Sequence, residues 1–121
     1  MEERIAPTRA ERTLRSAELR RRFLVALYRE LRIVWPIMSG LIGVQLGLGA
    51  LVAHFEQWPF GQAAYFAFVT GLTIGYGDLV PSRLITRLAA IVIGFIGILL
   101  TGLVAAVGVH ALQEARSNDP E

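Results

Sequence analysis

The sequence predicts an all-α membrane protein in which two transmembrane helices flank a re-entrant half-helix and a loop. Three observations predict it. Two stretches, Ile33 to Phe55 and Leu88 to Gln113, carry no Asp, Glu, Lys or Arg and are long enough to cross a bilayer. Between them lies a third apolar run, Phe60 to Leu72, that is too short to do so. Hydrophobic residues make up 54% of the 121 and charged residues 18%, against roughly 25% charged in soluble domains. A chain of this length holds two spans and their connection with no second functional module.

Residues 1–32 form a basic segment with nine Arg against five Glu. From about Arg9 its apolar residues Leu14, Ala17, Leu24, Leu27, Tyr28 and Leu31 fall near helical spacing. An amphipathic helix lying along the cytoplasmic membrane surface is expected, with Arg20, Arg21 and Arg22 toward anionic lipid headgroups. A loosely helical solvated arm is the alternative. All twelve basic residues of the chain are Arg, and cysteine is absent, which excludes thiolate metal sites, thiol nucleophiles and disulfides.

The first span, 33–55, reaches about 34 Å as a helix. Pro36 is expected in its first turn, where a missing donor costs least, and Trp35 suits the interfacial belt. Gly40, Gly43, Gly47 and Gly49 offer close helix packing. The second span, 88–112, lies in a charge-free stretch of about 39 Å, so it tilts or protrudes. By the positive-inside rule the Arg-rich N-terminus is cytoplasmic, and with two spans so is the short tail 113–121. The connection then faces outward, and the predicted location is the cell (inner) membrane, crossed more than once.

The half-helix, 60–72, starts after Trp58 and Pro59 and must re-enter, because backbone at membrane depth is tolerated only where protein buries it or it lines water. Its C-terminal end, deepest in the bilayer, would present partial negative charge to a cation. The loop 73–78 follows as Thr73-Ile74-Gly75-Tyr76-Gly77-Asp78. Its two glycines adopt dihedrals other residues resist, so that successive carbonyls turn toward one axis while Ile74 and Tyr76 point away. One chain supplies one column of oxygens, so four chains around an axis are needed to replace an ion's hydration shell.

From Ile33 to Ala111 the chain resembles the pore domain of potassium channels, specifically the two-transmembrane bacterial type with its Thr-Val/Ile-Gly-Tyr-Gly-Asp filter. The resemblance implies a homotetramer in the lipid bilayer, with the carbonyls of Thr73, Ile74, Gly75 and Tyr76 and the Thr73 hydroxyl binding K+. It implies that Gly77 and Asp78 shape the outer mouth, that Phe66, Val69 and Thr70 stand behind the filter with Tyr65, and that Tyr65 bonds Asp78. Two departures bear on that bracing. Many family members have Trp, with an indole donor, at the position of Phe66, and some bacterial ones have Glu at the position of Val69.

Gly97 matches the family's hinge glycine, with helix packing as the alternative role. Ile98 and Thr101 would face the cavity below the filter, and Ala105 with Val109 the inner gate. His110 and Glu114, one helical turn apart, form a candidate pH sensor, with an interfacial histidine as the plain alternative. Arg83 and Arg87 would sit at the outer rim, where Glu56 or Asp78 are candidate ion-pair partners. His54 and His110 lie at opposite ends of the spans, so within one subunit they do not ligate one metal, and haem or zinc is disfavoured.

No cofactor beyond permeant K+, no nucleic-acid partner and no enzyme chemistry are expected: the sequence lacks a nucleophile with its base and a phosphate-binding lysine motif. Two other readings compete with the selective channel. One is a weakly selective cation channel, and the other a non-conducting accessory subunit.

Overall fold

A computed structural model describes residues 8–117. The described residues are all helix and connection, with three helices in chain order: α1 (Arg9–Glu56), α2 (Phe60–Gly71) and α3 (Leu84–Ser117). They divide into two compact units. One, 34–105, holds α2, the loop after it and the adjoining parts of α1 and α3; the other holds the start of α1 and the end of α3.

α1 opens on a capping box. The Thr8 N–H donates to Glu11 Oε2 at 2.7 Å and the Glu11 N–H to Thr8 Oγ1 at 3.4 Å, satisfying two donors that a helix start otherwise leaves free. The helix then continues without a break to Glu56, 48 residues in all. This corrects two expectations. The basic segment from Arg9 is the beginning of the same helix as the first span and not a separate surface helix, and Pro36 is interior to that helix and not in its first turn. Pro removes one backbone donor, a loss that neighbouring groups compensate in membrane helices. Ser39 Oγ donates to the Pro36 carbonyl at 3.0 Å.

α1 ends at a left-handed residue, Gln57 (φ 58°), after which the Trp58 N–H returns to the Ala53 carbonyl at 3.0 Å. That six-to-one bond is the closing pattern of a Schellman turn. Pro59 accepts the amides of Gln62 and Ala63 and so starts α2. The half-helix was expected over 60–72; it spans Phe60–Gly71, with Leu72 as its C-cap. α3 begins four residues ahead of the expected second span, at Leu84, because the turn before it is held from outside, as described below.

The core of the central unit is small: Val52, Phe66, Ala67, Ala89 and Ile93, with Leu48, Leu51, Trp58, Leu79 and Ala90 packed around it. Close approach of backbones makes up for its size. Gly49 lies where a Cβ would come within 3.1 Å of Ala67 Cβ, whereas Gly40, Gly43 and Gly47 face open space within the chain. Many large apolar side chains remain exposed along α1 and α3, among them Ile37, Val44, Leu88, Ile91, Phe95 and Leu99. A water-soluble domain rarely shows so much, and α1 and α3 are both long and apolar enough to cross a membrane.

In the second unit the helix ends approach through small residues, with Ala26, Ala111 and Ala115 buried. The rim of this contact is ionic. Arg29 pairs with Glu114, and His110 Nδ1 lies 3.4 Å from Glu30 Oε1.

Candidate functional site

The loop that follows α2 is organised by the last carbonyls of that helix. A helix leaves its final carbonyls without intrahelical donors, and here the loop supplies them. The Leu72 N–H donates to Phe68 O at 2.8 Å, Thr73 N–H to Thr70 O at 3.1 Å, and Ile74 and Gly75 N–H both to Val69 O at 3.0 and 3.4 Å. With these amides turned back to α2, the carbonyls of the loop are left for another partner. Val69 and Thr70 therefore enter the site through their backbone oxygens.

Three loop residues have left-handed backbone: Thr73 (φ 59°), Gly75 (φ 58°) and Gly77 (φ 78°). Every second residue is reversed, which undoes the alternation of a strand, in which successive groups point to opposite sides. The glycines adopt this conformation readily. Thr73 does so against its preference, a feature that sequence reasoning missed. All residues from Leu72 to Asp78 are exposed in the single chain, Ile74 and Tyr76 included.

Behind the loop, Tyr65 and Asp78 come together as expected. Burial raises the Tyr65 phenol above its ordinary 10.0, and a hydrogen bond to the Asp78 carboxylate and its charge raise it further. Phe66 is turned differently. It is 6% exposed and packs in the core with its ring edge-on to Trp58, centroids 5.5 Å apart. Its role within the chain is to seat α2.

Two residues fix the site's frame: Gln45, which the sequence reading passed over, and Glu56, which it considered only as an ion-pair partner. Gln45, in the middle of the first apolar stretch, is 4% exposed and donates from Nε2 to the Ala67 carbonyl at 2.9 Å. Its signal was an amide amid apolar neighbours. Glu56, at the end of α1, receives the Ser82 N–H at 2.8 Å, Ser82 Oγ at 2.6 Å, the Arg83 N–H at 3.1 Å and Thr86 Oγ1 at 2.5 Å. Those donors, the Ser82 and Thr86 hydroxyls first, hold its carboxyl at about 2, below the ordinary 4.5. Glu56 thus caps the start of α3 with a favourable charge at the helix N-terminus. It takes the Arg83 amide and not its guanidinium, while Arg87 Nε bonds Pro81 O at 3.1 Å.

On α3, Gly97 lies against the end of α2 so closely that any Cβ would overlap the Gly71 carbonyl. Of the two roles considered for Gly97, this contact is packing, and α3 runs unbroken through it. Thr101 Oγ1 donates to the Gly97 carbonyl at 2.9 Å. Ile98, Thr101, Ala105 and Val109 are all exposed in the single chain.

His110 and Glu114, paired in the sequence reading, have separate partners on α1. Glu114 takes Arg29 and His110 faces Glu30. The ligand atoms of Glu30, His110 and Glu114 lie within 4.8 Å of one another, a grouping of metal-ligand types that attention to the two histidines alone overlooked. Arg29 already places a cation there, and the hydrogen bond and charge of Glu114 raise its guanidinium further.

The arrangement of two long apolar helices, a short helix seated between them and a loop of reversed residues is matched by the sequence pattern described as "ion channel", over residues 31–114. The chain belongs to this ion-channel family. The family and the two helices long and apolar enough to cross a bilayer make it a membrane protein.

Among curated proteins it is similar to two-pore potassium channel 3 of Arabidopsis thaliana, 39% identical over 55% of this chain and 18% of the relative. It is also similar to potassium channel subfamily K member 13 of Rattus norvegicus, at 40% over 35% of this chain and 10% of the relative. The open rectifier potassium channel protein 1 of Drosophila melanogaster is 48% identical over 24% of this chain and 3% of the relative. The chain thus spans less than a fifth of the length of the Arabidopsis relatives it matches. No solved structure gives a significant match.

Proposed function

We propose that four copies of this chain assemble around one axis as a potassium-selective channel, each contributing the loop 73–78 as a quarter of the filter. The observation that carries the reading is the loop itself. Its amides at Ile74 and Gly75 are turned to Val69 O, and its backbone reverses at Thr73, Gly75 and Gly77. Such a strand has carbonyls to offer an ion that sheds its water. Each copy of the loop offers one column of carbonyls, and an ion's hydration shell is replaced by four such columns around an axis, which is why four copies are invoked. The names of the relatives given above, each a potassium channel, support the choice of ion.

In this reading K+ binds at the carbonyls of Thr73, Ile74, Gly75 and Tyr76 and at the Thr73 hydroxyl, and moves on by repulsion between ions in neighbouring sites. The driving force is the gradient and the membrane potential, about 2.3 kcal/mol per charge per 100 mV. Gly77, Asp78 and Tyr65 keep the outer mouth in shape. Ile98 and Thr101 line the cavity, Ala105 and Val109 the inner gate, and both termini lie in the cytoplasm.

The test is potassium efflux from liposomes containing only the purified chain. Efflux driven by a K+ gradient and absent for Na+ is expected. A weakly selective cation pore is the second reading, favoured by one observation: Phe66 has no donor and is committed to the core. Comparable Na+ efflux would establish it, and silence toward both ions would leave an accessory subunit.

A further inference from the structure

We infer that Gln45 is a positioning residue for the filter, acting through the last turn of α2. The inference rests on the reading of 73–78 as a potassium filter. Gln45 stands in the first apolar stretch, where a polar side chain without a partner is unfavourable, and it is 4% exposed. Its amide makes one bond to the rest of the site, Nε2 to Ala67 O at 2.9 Å. Ala67 begins the run of carbonyls from which the loop hangs: Phe68 holds Leu72, Val69 holds Ile74 and Gly75, and Thr70 holds Thr73. Whatever fixes Ala67 fixes the next three oxygens, because they share one rigid helical turn.

The surroundings are shaped for this contact. Gly71 leaves the space that the Gln45 amide fills, since a Cβ there would overlap it, and from α3 Gly97 lies against the Gly71 carbonyl. The end of α2 is therefore gripped from both long helices, by close packing from α3 and by a directional bond from α1. Packing sets distance, and the bond sets rotation about the helix axis. A side chain of equal length without a donor would keep the first and lose the second.

The experiment compares wild type, Gln45→Met and Gln45→Glu as purified full-length tetramers in bilayers with K+ on one side and Na+ on the other, across acid to alkaline pH. Methionine fills the space without donating, so the K+/Na+ permeability ratio falls about threefold to tenfold at every pH, as for loss of one interhelical bond in a membrane. Glutamate donates when protonated and not when ionised. Gln45→Glu therefore matches wild type in acid and falls to the methionine value as pH rises, reversibly within one preparation.

A wild-type ratio in Gln45→Met overturns the inference. So does a defect in Gln45→Glu that acid does not restore, since that would be a packing role alone. If methionine prevents assembly, the reversible titration of Gln45→Glu decides by itself. A wild type that conducts beside unaffected variants rejects only the role of Gln45, whereas a wild type that passes no K+ rejects the filter reading and this inference with it.

Discussion

Residues 34–105 and the paired helix ends are held together by different means. In the central unit the decisive contacts are backbone against backbone: Gly97 on the Gly71 carbonyl, Gly49 beside the Ala63 carbonyl, and loop amides on Val69 and Thr70. Side chains there reach main chain as well, as Gln45 does at Ala67 and Glu56 at the Ser82 and Arg83 amides, with the Ser82 and Thr86 hydroxyls added at Glu56. At the helix ends the contacts are ions paired across small residues, Arg29 with Glu114 and His110 with Glu30. The first arrangement has no slack for one added methyl group at Gly97, and its response to pH is concentrated in one carboxylate, Glu56. The second tolerates truncation and responds to salt and protons, because exposed ion pairs contribute little and are screened.

The contrast is tested most severely at Gly97. Gly97→Ala puts a methyl group into the Gly71 carbonyl, so α2 cannot seat. Complete loss of ion flux and of tetramer on size-exclusion chromatography is expected, whereas a conducting tetramer would show that this packing yields. Gly75→Ala should act more selectively. Space around Gly75 is open in the chain, but its φ of 58° is left-handed, which disfavours an L side chain by about 1–2 kcal/mol. The tetramer should persist on the same column while the K+/Na+ permeability ratio collapses.

Glu56 comes next. Its carboxyl is held at about 2 against an ordinary 4.5, so its stabilising effect is fully present above the unfolded value and disappears as pH falls from about 4.5 toward 2. Thermal melting of wild type should drop across that window. Glu56→Gln should lie lower at neutral pH and lose less on acidification. Equal pH slopes for the two would remove the cap from the account.

The smallest effects belong to the helix ends. Glu114→Gln should leave flux within about twofold of wild type at neutral pH, as for an exposed pair. His110→Ala, which removes the side chain facing Glu30, should flatten any pH dependence of open probability. An unchanged pH profile would leave His110 a bystander beside Glu30.

Much of this frame was legible in the sequence, for reasons that can be named. The half-helix was placed to within one residue because its start is marked by Trp58 and Pro59 and its length by hydropathy. The two apolar stretches showed themselves by absence of charge. What stayed hidden was what depends on partners distant in sequence. Gln45 and Ala67 are 22 residues apart, Glu56 and Ser82 are 26, and Arg29 and Glu114 are 85; no periodicity joins such pairs. Glu56 was noticed as an ion-pair partner, yet helix N-termini compete for carboxylates as effectively as guanidinium groups do. Pro36 misled because proline is a reliable helix starter in water, while a membrane helix continues through it.

The central claim is that the loop from Thr73 to Asp78 is a potassium filter made by this chain alone. Planar-bilayer recording of the pure protein between K+ and Na+ solutions tests it most directly. The account predicts a current whose reversal potential lies strongly toward the K+ side. A reversal near zero would mean a pore that does not choose between the ions, and no current at all would contradict conduction by this chain alone.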